Sequence, residues 1–456
     1  MQSSIQSVHF ESALLPQGWA AQVRVGIAGG VIASIERGVA PRAEDERASV
    51  GLPGLSNVHS HAFQRAMAGL TEHRGPSADS FWTWRELMYH FVGRITPDDA
   101  EAIAAHAFME MLEAGFTRVG EFHYLHHDPS GKPYANIAEM AVRVAAAVAQ
   151  TGIALTLLPV FYAHGGFGGS PPTQGQRRFI NSVDQFARLL EASREVVAPL
   201  EHAVVGVAPH SLRAVTPQEL AAVAPLAGTG PIHIHAAEQT REVEDCVAWS
   251  GQRPVEWLLA SAPVDRRWCL VHSTHVTKAE ALALARSGAV VGLCPITEAN
   301  LGDGMFPAAS FLNAKGAVGI GTDSNVLISA AQELRQLEYS QRLRDRMRNV
   351  LAGGANRSTG RTLYDAALQG GTQAMGARGG FEVGAPADFF SLDAGDVRFA
   401  GREGDQILDT FVFAGGERCI DCVWRAGRKV VSGGRHHARP QIEARYRTAL
   451  ARLVRA

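Results

Sequence analysis

His59 and His61 stand two residues apart in LPGLSNVHSHAFQR, residues 52–65. In a β-strand, residues i and i+2 point to the same face, so the two imidazoles leave the chain side by side and make half of a metal site. Neutral imidazole suits zinc, copper, iron and nickel, and a catalytic site needs about three or four protein ligands plus an open position. A lone His-x-His pair is common, so the reading depends on further ligands. Candidates close three later apolar runs: His235 in PIHIHAAE, His272 in WCLVHSTH and Asp323 in AVGIGTDSN. Singly, each has an ordinary explanation as a core imidazole, a surface residue or a helix cap. Together they point to one cluster, with His59, His61, His235 and Asp323 as ligands.

A single ion held by three histidines and a carboxylate lowers the pKa of its water from about 15.7 toward 7 and so supplies hydroxide at neutral pH. Glu238, three residues after His235, is placed to shuttle protons, first to the nitrogen under attack and then to the leaving group. His272 is expected to donate a hydrogen bond to the water or to developing charge. Asp323 both binds the ion and accepts the water's proton. A second ion in such a site usually needs a bridging ligand, often a modified lysine at the end of the fourth strand. Lysines occur only at 132, 278, 315 and 429, and that strand ends AVVGVAPHSLR, so one ion is expected.

Positioning these groups calls for strands that end at a common rim. Eight strand candidates alternate with helical segments: Leu55 to His61, Thr117 to Tyr124, Ile153 to Tyr162, Val204 to His210, Ile232 to His235, Trp268 to His272, Ala289 to Pro295 and Ala317 to Asp323. Eight such units close a (β/α)₈ TIM-like barrel, whose active sites lie at the C-terminal ends of the strands. Helix ends are legible between them. Thr96-Pro97-Asp98-Asp99 offers a cap, a first-turn proline and acids before a stop at Gly115, and Thr277 with Glu280 makes a capping box before a stop at Gly288.

The flanks read differently. VRVGIAGGVIASIERG is a hairpin signal around Ala28-Gly29-Gly30, and FEVGAPADFFSLD and CVWRAGRKVVSGGR are turn-rich and β-like. Residues 1–50 and 375–439 are therefore expected to pair into a smaller β-sandwich domain, with the barrel at 51–374 and a helical segment at 440–456. The GGFGGSPP run at 165–172 lacks the strand, GxGxxG, helix context of a dinucleotide site and reads as a mobile loop.

Composition excludes several classes. A formal charge of −2 and a pI near 6.8 give no electrostatic case for nucleic acid or an anionic membrane. The N-terminus has no basic n-region or apolar h-region and no apolar run reaches membrane-spanning length, so a cytoplasmic location is expected. Five scattered cysteines argue against a disulfide framework, and Cys419 and Cys422 read as buried strand residues.

The strand LPGLSNVHSH, the HxxE after the fifth strand, the sixth-strand histidine and TDSN together resemble the single-metal deaminase branch of the amidohydrolase superfamily. The stretches HAFQRAMAGLTEHRG, DSFWTWRELMYHFVGRITP, GEFHYLHHDPSGKPY and APHSLRAV are similar to the formimidoylglutamate deiminases within it. The resemblance covers nearly the whole chain. It implies a zinc enzyme, with iron or manganese also compatible with the ligands, that converts N-formimino-L-glutamate and water to N-formyl-L-glutamate and ammonia. It also implies a homodimer, as relatives often are. The two substrate carboxylates call for bidentate arginines, for which Arg85 and Arg213 are the candidates, with Gln64, Tyr124 and His210 in support. Two alternatives remain open at this stage: deamination of a heterocycle such as guanine or a pterin, and a non-catalytic barrel scaffold.

Overall fold

The computed structural model describes residues 6–75 and 79–455. The barrel strands are Leu55–Ser60, Phe116–His123, Ala154–Phe161, the pair Val204–Val205 and Ala208–Pro209, Ile232–Ala236, Trp268–His272, Val290–Leu293 and Ala317–Ile320. Each of the first three is buried along its whole length, as a parallel strand must be when helices cover one face and barrel side chains fill the other. The ring returns on itself where Ile320 pairs with Asn57. Between the fourth and fifth strands it closes through bridges from Val207 to Ile232 and from Ser211 to His235.

The fourth strand, expected as one run from Val204 to His210, is broken at Gly206. A Cβ there would lie 2.3 Å from the Pro231 carbonyl, so the chain approaches its neighbour too closely for any side chain. The expected helix signals operate as read. Thr96 and Asp99 cap each other at the start of Pro97–Glu113, Thr277 and Glu280 do the same for Lys278–Ser287, and Gly288 ends the latter in the left-handed conformation.

Both chain ends build one further sheet of eight strands. Gln6–Leu15 pairs antiparallel with Gly18–Ala28 and parallel with Glu46–Pro53, which runs beside Phe389–Leu392 and then Ile420–Arg425. The Gly18–Ala28 hairpin turns through Gly29 and Gly30, both at positive φ. The sheet curls on itself: Phe10 and Trp424 lie three strands apart in the pairing order, yet their ring centroids are 6.2 Å apart. Residues 397–419, within the stretch expected to be β-like, instead form short helices, among them Asp405–Thr410, because the Asp409 carboxylate is recruited to Ser358 and the Gly360 N–H of a barrel helix. Cys419 and Cys422 are buried and unpaired.

The last helix, Arg439–Arg455, packs against Pro97–Glu113, where Tyr446 stacks on His106 at 4.0 Å. Among the described residues no helix is long and apolar enough to cross a membrane.

Candidate metal centre and active site

The first strand delivers His59 and His61, and a buried amide network fixes where it ends. Asn57 donates to Thr322 Oγ1 at 2.6 Å and accepts from the Thr322 N–H at 3.1 Å. Asn325 donates to Ser60 Oγ and to the His61 and Asp323 carbonyls. Strands one and eight are thereby stitched together at the rim. His272, Ser273, Ala237 and Asp323 all carry positive φ between 45° and 66°. For residues with a side chain this conformation costs on the order of 1–2 kcal/mol each. It persists because Asp323 N donates to the His59 carbonyl at 2.9 Å and Ser273 N to the Ala236 carbonyl at 3.0 Å. Strain of this kind concentrates where side-chain placement matters more than backbone comfort.

The four expected ligands converge. His59 Nε2 lies 3.1 Å from both His61 Nε2 and His235 Nε2, and Asp323 Oδ1 lies 3.3 Å from His59 Nε2 and His61 Nε2. The edge of a tetrahedron around an ion with ligands at about 2.0 Å is about 3.3 Å. The donor set also fits a cation chemically. His61 Nδ1 lies 3.1 Å from the Phe122 carbonyl and His235 Nδ1 2.9 Å from the His210 carbonyl, so the Nδ1 protons are committed and both Nε2 lone pairs face inward. Lone pairs at 3.1 Å repel unless something positive lies between them. Burial, reinforced by the neighbouring His61, lowers the His59 imidazole to about 3, which keeps it neutral and able to ligate. Among the described residues this is the one such cluster. The fourth strand ends in Pro209 and His210, with no lysine there to bridge a second ion.

Around the cluster, His272 Nδ1 meets Glu298 Oε1 at 3.2 Å, which aims its Nε2 toward Glu238 Oε1 at 3.9 Å and Asp323 Oδ2 at 4.0 Å. Burial works against protonation of this ring. The Glu298 hydrogen bond and the surrounding carboxylates outweigh it and push His272 up to about 10, which favours the protonated ring. Burial pushes the Glu238 carboxyl up from its usual range, against the pull of His272 and Arg213.

A cleft of about 550 Å³, open to solvent, leads to this point. His61, His235, Asp323 and Glu238 form its floor, and Gln64, Arg85, Tyr124, His210 and Arg213 stand in its walls, so all five expected substrate contacts face it. His59 and His272 lie behind, fully buried. Gln64 Nε2 donates to Tyr124 Oη at 2.9 Å. Arg213 reaches Glu238 Oε2 at 3.3 Å and Glu242 Oε2 at 3.9 Å. Among the described residues Arg85 is held by rings alone, its Cζ 4.6 Å from the Trp82 centroid and 5.6 Å from that of Tyr89. Sequence reasoning missed Glu298, which orients His272, and a second glutamine–tyrosine pair, Gln176 Nε2 to Tyr162 Oη at 2.7 Å. Glu298 gave a signal: it follows the seventh strand by a few residues. Gln176 gave a weaker one, the Thr173-x-x-Gln176 spacing of a capping box on the single turn Gln174–Gln176.

The amidohydrolase family model matches residues 50–430. The chain belongs to the amidohydrolase family. Members of the family are metal-dependent, and the cluster described above could hold an ion. Ahead of that match, residues 5–49 match the N-terminal domain of formimidoylglutamate deiminase HutF. A curated formimidoylglutamate deiminase of Pseudomonas aeruginosa is 51% identical over 95% of this chain and 96% of its own. An 8-oxoguanine deaminase of the same organism is 27% identical over 90% of this chain and 89% of its own. Among solved structures, an amidohydrolase from Brucella melitensis superposes with a TM-score of 0.96 at 57% identity, covering 98% of this chain and all of the other. A zinc-bound adenosine deaminase from Xanthomonas campestris shares the fold at 22% identity and a TM-score of 0.81, over 99% of each chain.

Proposed function

We propose that this member of the family hydrolyses the formimidoyl C–N bond of N-formimino-L-glutamate, releasing ammonia and leaving N-formyl-L-glutamate, a step of histidine degradation. The observation that carries the reading is a cleft with a His₃Asp cluster on its floor and two arginines in its walls. That arrangement suits a linear molecule with a hydrolysable amidine at one end and carboxylates at the other.

His59, His61, His235 and Asp323 would hold the ion, which when bound makes hydroxide available from water near neutral pH. Arg85 and Arg213 bind the two carboxylates and fix the substrate's direction, so the amidine carbon arrives at the floor. The amidine is cationic and pairs with ionised Glu238. Water adds to the formimidoyl carbon, and the proton it sheds is taken up by Asp323 and passed to Glu238. Glu238 returns it to the amidine nitrogen, the C–N bond breaks as the carbonyl forms, ammonia departs and the remaining hydroxyl proton passes to Glu238. His272, fixed by Glu298, donates toward the charge that develops on the added oxygen. Gln64, Tyr124 and His210 complete the walls as hydrogen-bonding partners.

Zinc is the ion in this reading because three imidazoles and a carboxylate suit it, with iron or manganese as the alternatives. A homodimer and a cytoplasmic location belong to the same proposal. The test is an ammonia-release assay with N-formimino-L-glutamate, N-formimino-L-aspartate and guanine. The glutamyl compound is expected to turn over fastest and guanine not at all. Activity confined to guanine would overturn the proposal.

A further inference from the structure

Arg85 and Arg213 line the inner cleft and also a second hollow outside it, about 1030 Å³ of space open to solvent. Its walls come from four separate stretches: helix Phe81–Val92, the loop around Gly165–Ser170, the turn carrying Arg213, and helix Thr240–Ser250. The loop, expected to be mobile, is tied down. Gly165 N donates to the Ser170 carbonyl at 2.8 Å, and Phe167 stacks on Trp249 with centroids 5.6 Å apart. Across the hollow, the Trp82 indole takes the Arg85 Cζ at 4.6 Å and the Arg241 Cζ at 5.0 Å. One ring therefore holds a guanidinium at the boundary of the inner cleft and another at the outer rim.

Asp245 is the acid in these walls, 3.7 Å from Arg241, and both side chains are more than half exposed. A pair of that kind is weak and screened. Arg213 already faces Glu238 and Glu242 at its back, so among the described residues Arg85 is the guanidinium in these walls with no carboxylate beside it, and it leaves the inner end of the hollow cationic.

We propose that this hollow is an outer carboxylate subsite, in which Arg241 draws a dicarboxylate toward Arg85 before it enters the inner cleft. The inference rests on the dicarboxylate substrate of the functional reading. A carboxylate met first by Arg241 passes to Arg85 along a single indole, so it stays near a cation while its hydration shell is stripped. A neutral heterocycle gains nothing from the arrangement, which makes Arg241 a specificity-determining residue as well as a recruiting one.

The test uses the full-length protein, Arg241→Gln and Asp245→Asn, compared in ammonia release from N-formimino-L-glutamate at low and high ionic strength. Binding of glutarate, a non-reacting dicarboxylate, is measured alongside by calorimetry. Arg241→Gln is expected to raise KM and the glutarate Kd about three- to tenfold at low salt with kcat unchanged, and Asp245→Asn to lower both. High salt should erase both differences. Shifts of the same sign in the two variants, shifts indifferent to salt, or no shift at all would overturn the subsite. A wild-type chain that binds glutarate with this charge dependence but releases no ammonia would refute the functional reading and leave the subsite standing.

Discussion

Arg24 in the terminal sheet and Arg85 at the barrel rim carry the same charge into opposite situations. Arg24 Nε donates to both Asp45 oxygens, at 3.0 and 3.1 Å, while its other nitrogens reach Glu36 and the Ala40 carbonyl. Both side chains of the Arg24–Asp45 pair are buried, and each charge is answered by the other. Arg85 has no carboxylate partner among the described residues, its buried Nε makes no hydrogen bond, and two aromatic rings hold it. The sheet arginine is given a counter-charge, whereas Arg85, in the wall of the cleft, is given none among the described residues. The metal cluster extends the contrast, since its inward lone pairs and the strained backbone at His272 and Asp323 make little sense without a guest.

That contrast can be broken by substitution on either side. The largest effect is expected from Asp323→Asn, which removes a ligand and the water's proton acceptor together. Activity should fall by at least about 10³-fold, read as kcat, and the thermal midpoint should fall with the loss of the bound ion. Next, Arg24→Met strands the Asp45 carboxylate and should cost about 3–5 kcal/mol in denaturant unfolding, with KM unchanged in the surviving folded enzyme. Arg85→Met should do the reverse. KM should rise about 10- to 100-fold, as expected for loss of a charge-assisted hydrogen bond to substrate, and stability should hold because no buried anion is left behind.

The smallest effect is a pH dependence. Burial works to raise the Asp45 carboxyl, but Ser7, the Arg42 N–H and Arg24 outweigh it and hold it at about 2, below its unfolded value of 3.8. A depressed folded pKa stabilises the fold above pH about 4, and that stability is lost as pH falls toward 2. Unfolding midpoints compared at pH 6 and pH 3 should therefore drop more in wild type than in Asp45→Asn.

Much of the site was legible because its ligands end apolar runs. His59, His61, His235 and Asp323 each follow residues that can only be barrel strands, and strand ends converge by geometry. Arg85 and Arg213 were reached through longer motifs, since nothing in the spacing of a rim helix or a loop says which arginine will face a cleft. The break at Gly206 escaped notice because the close approach of Pro231 is a tertiary fact, and the short helices of residues 397–419 because one of their carboxylates, Asp409, bonds the start of a helix 49 residues upstream. Gln176 and Phe167 act from a segment whose course is set by stacking and single hydrogen bonds, which leave no periodic trace.

The most direct test of convergence is the metal content of the purified protein, measured by mass spectrometry of the native chain and of Asp323→Asn. One tightly held divalent ion per wild-type chain, lost or weakened in the variant, is the predicted result. No ion in any preparation, or equal occupancy in both proteins, would contradict it.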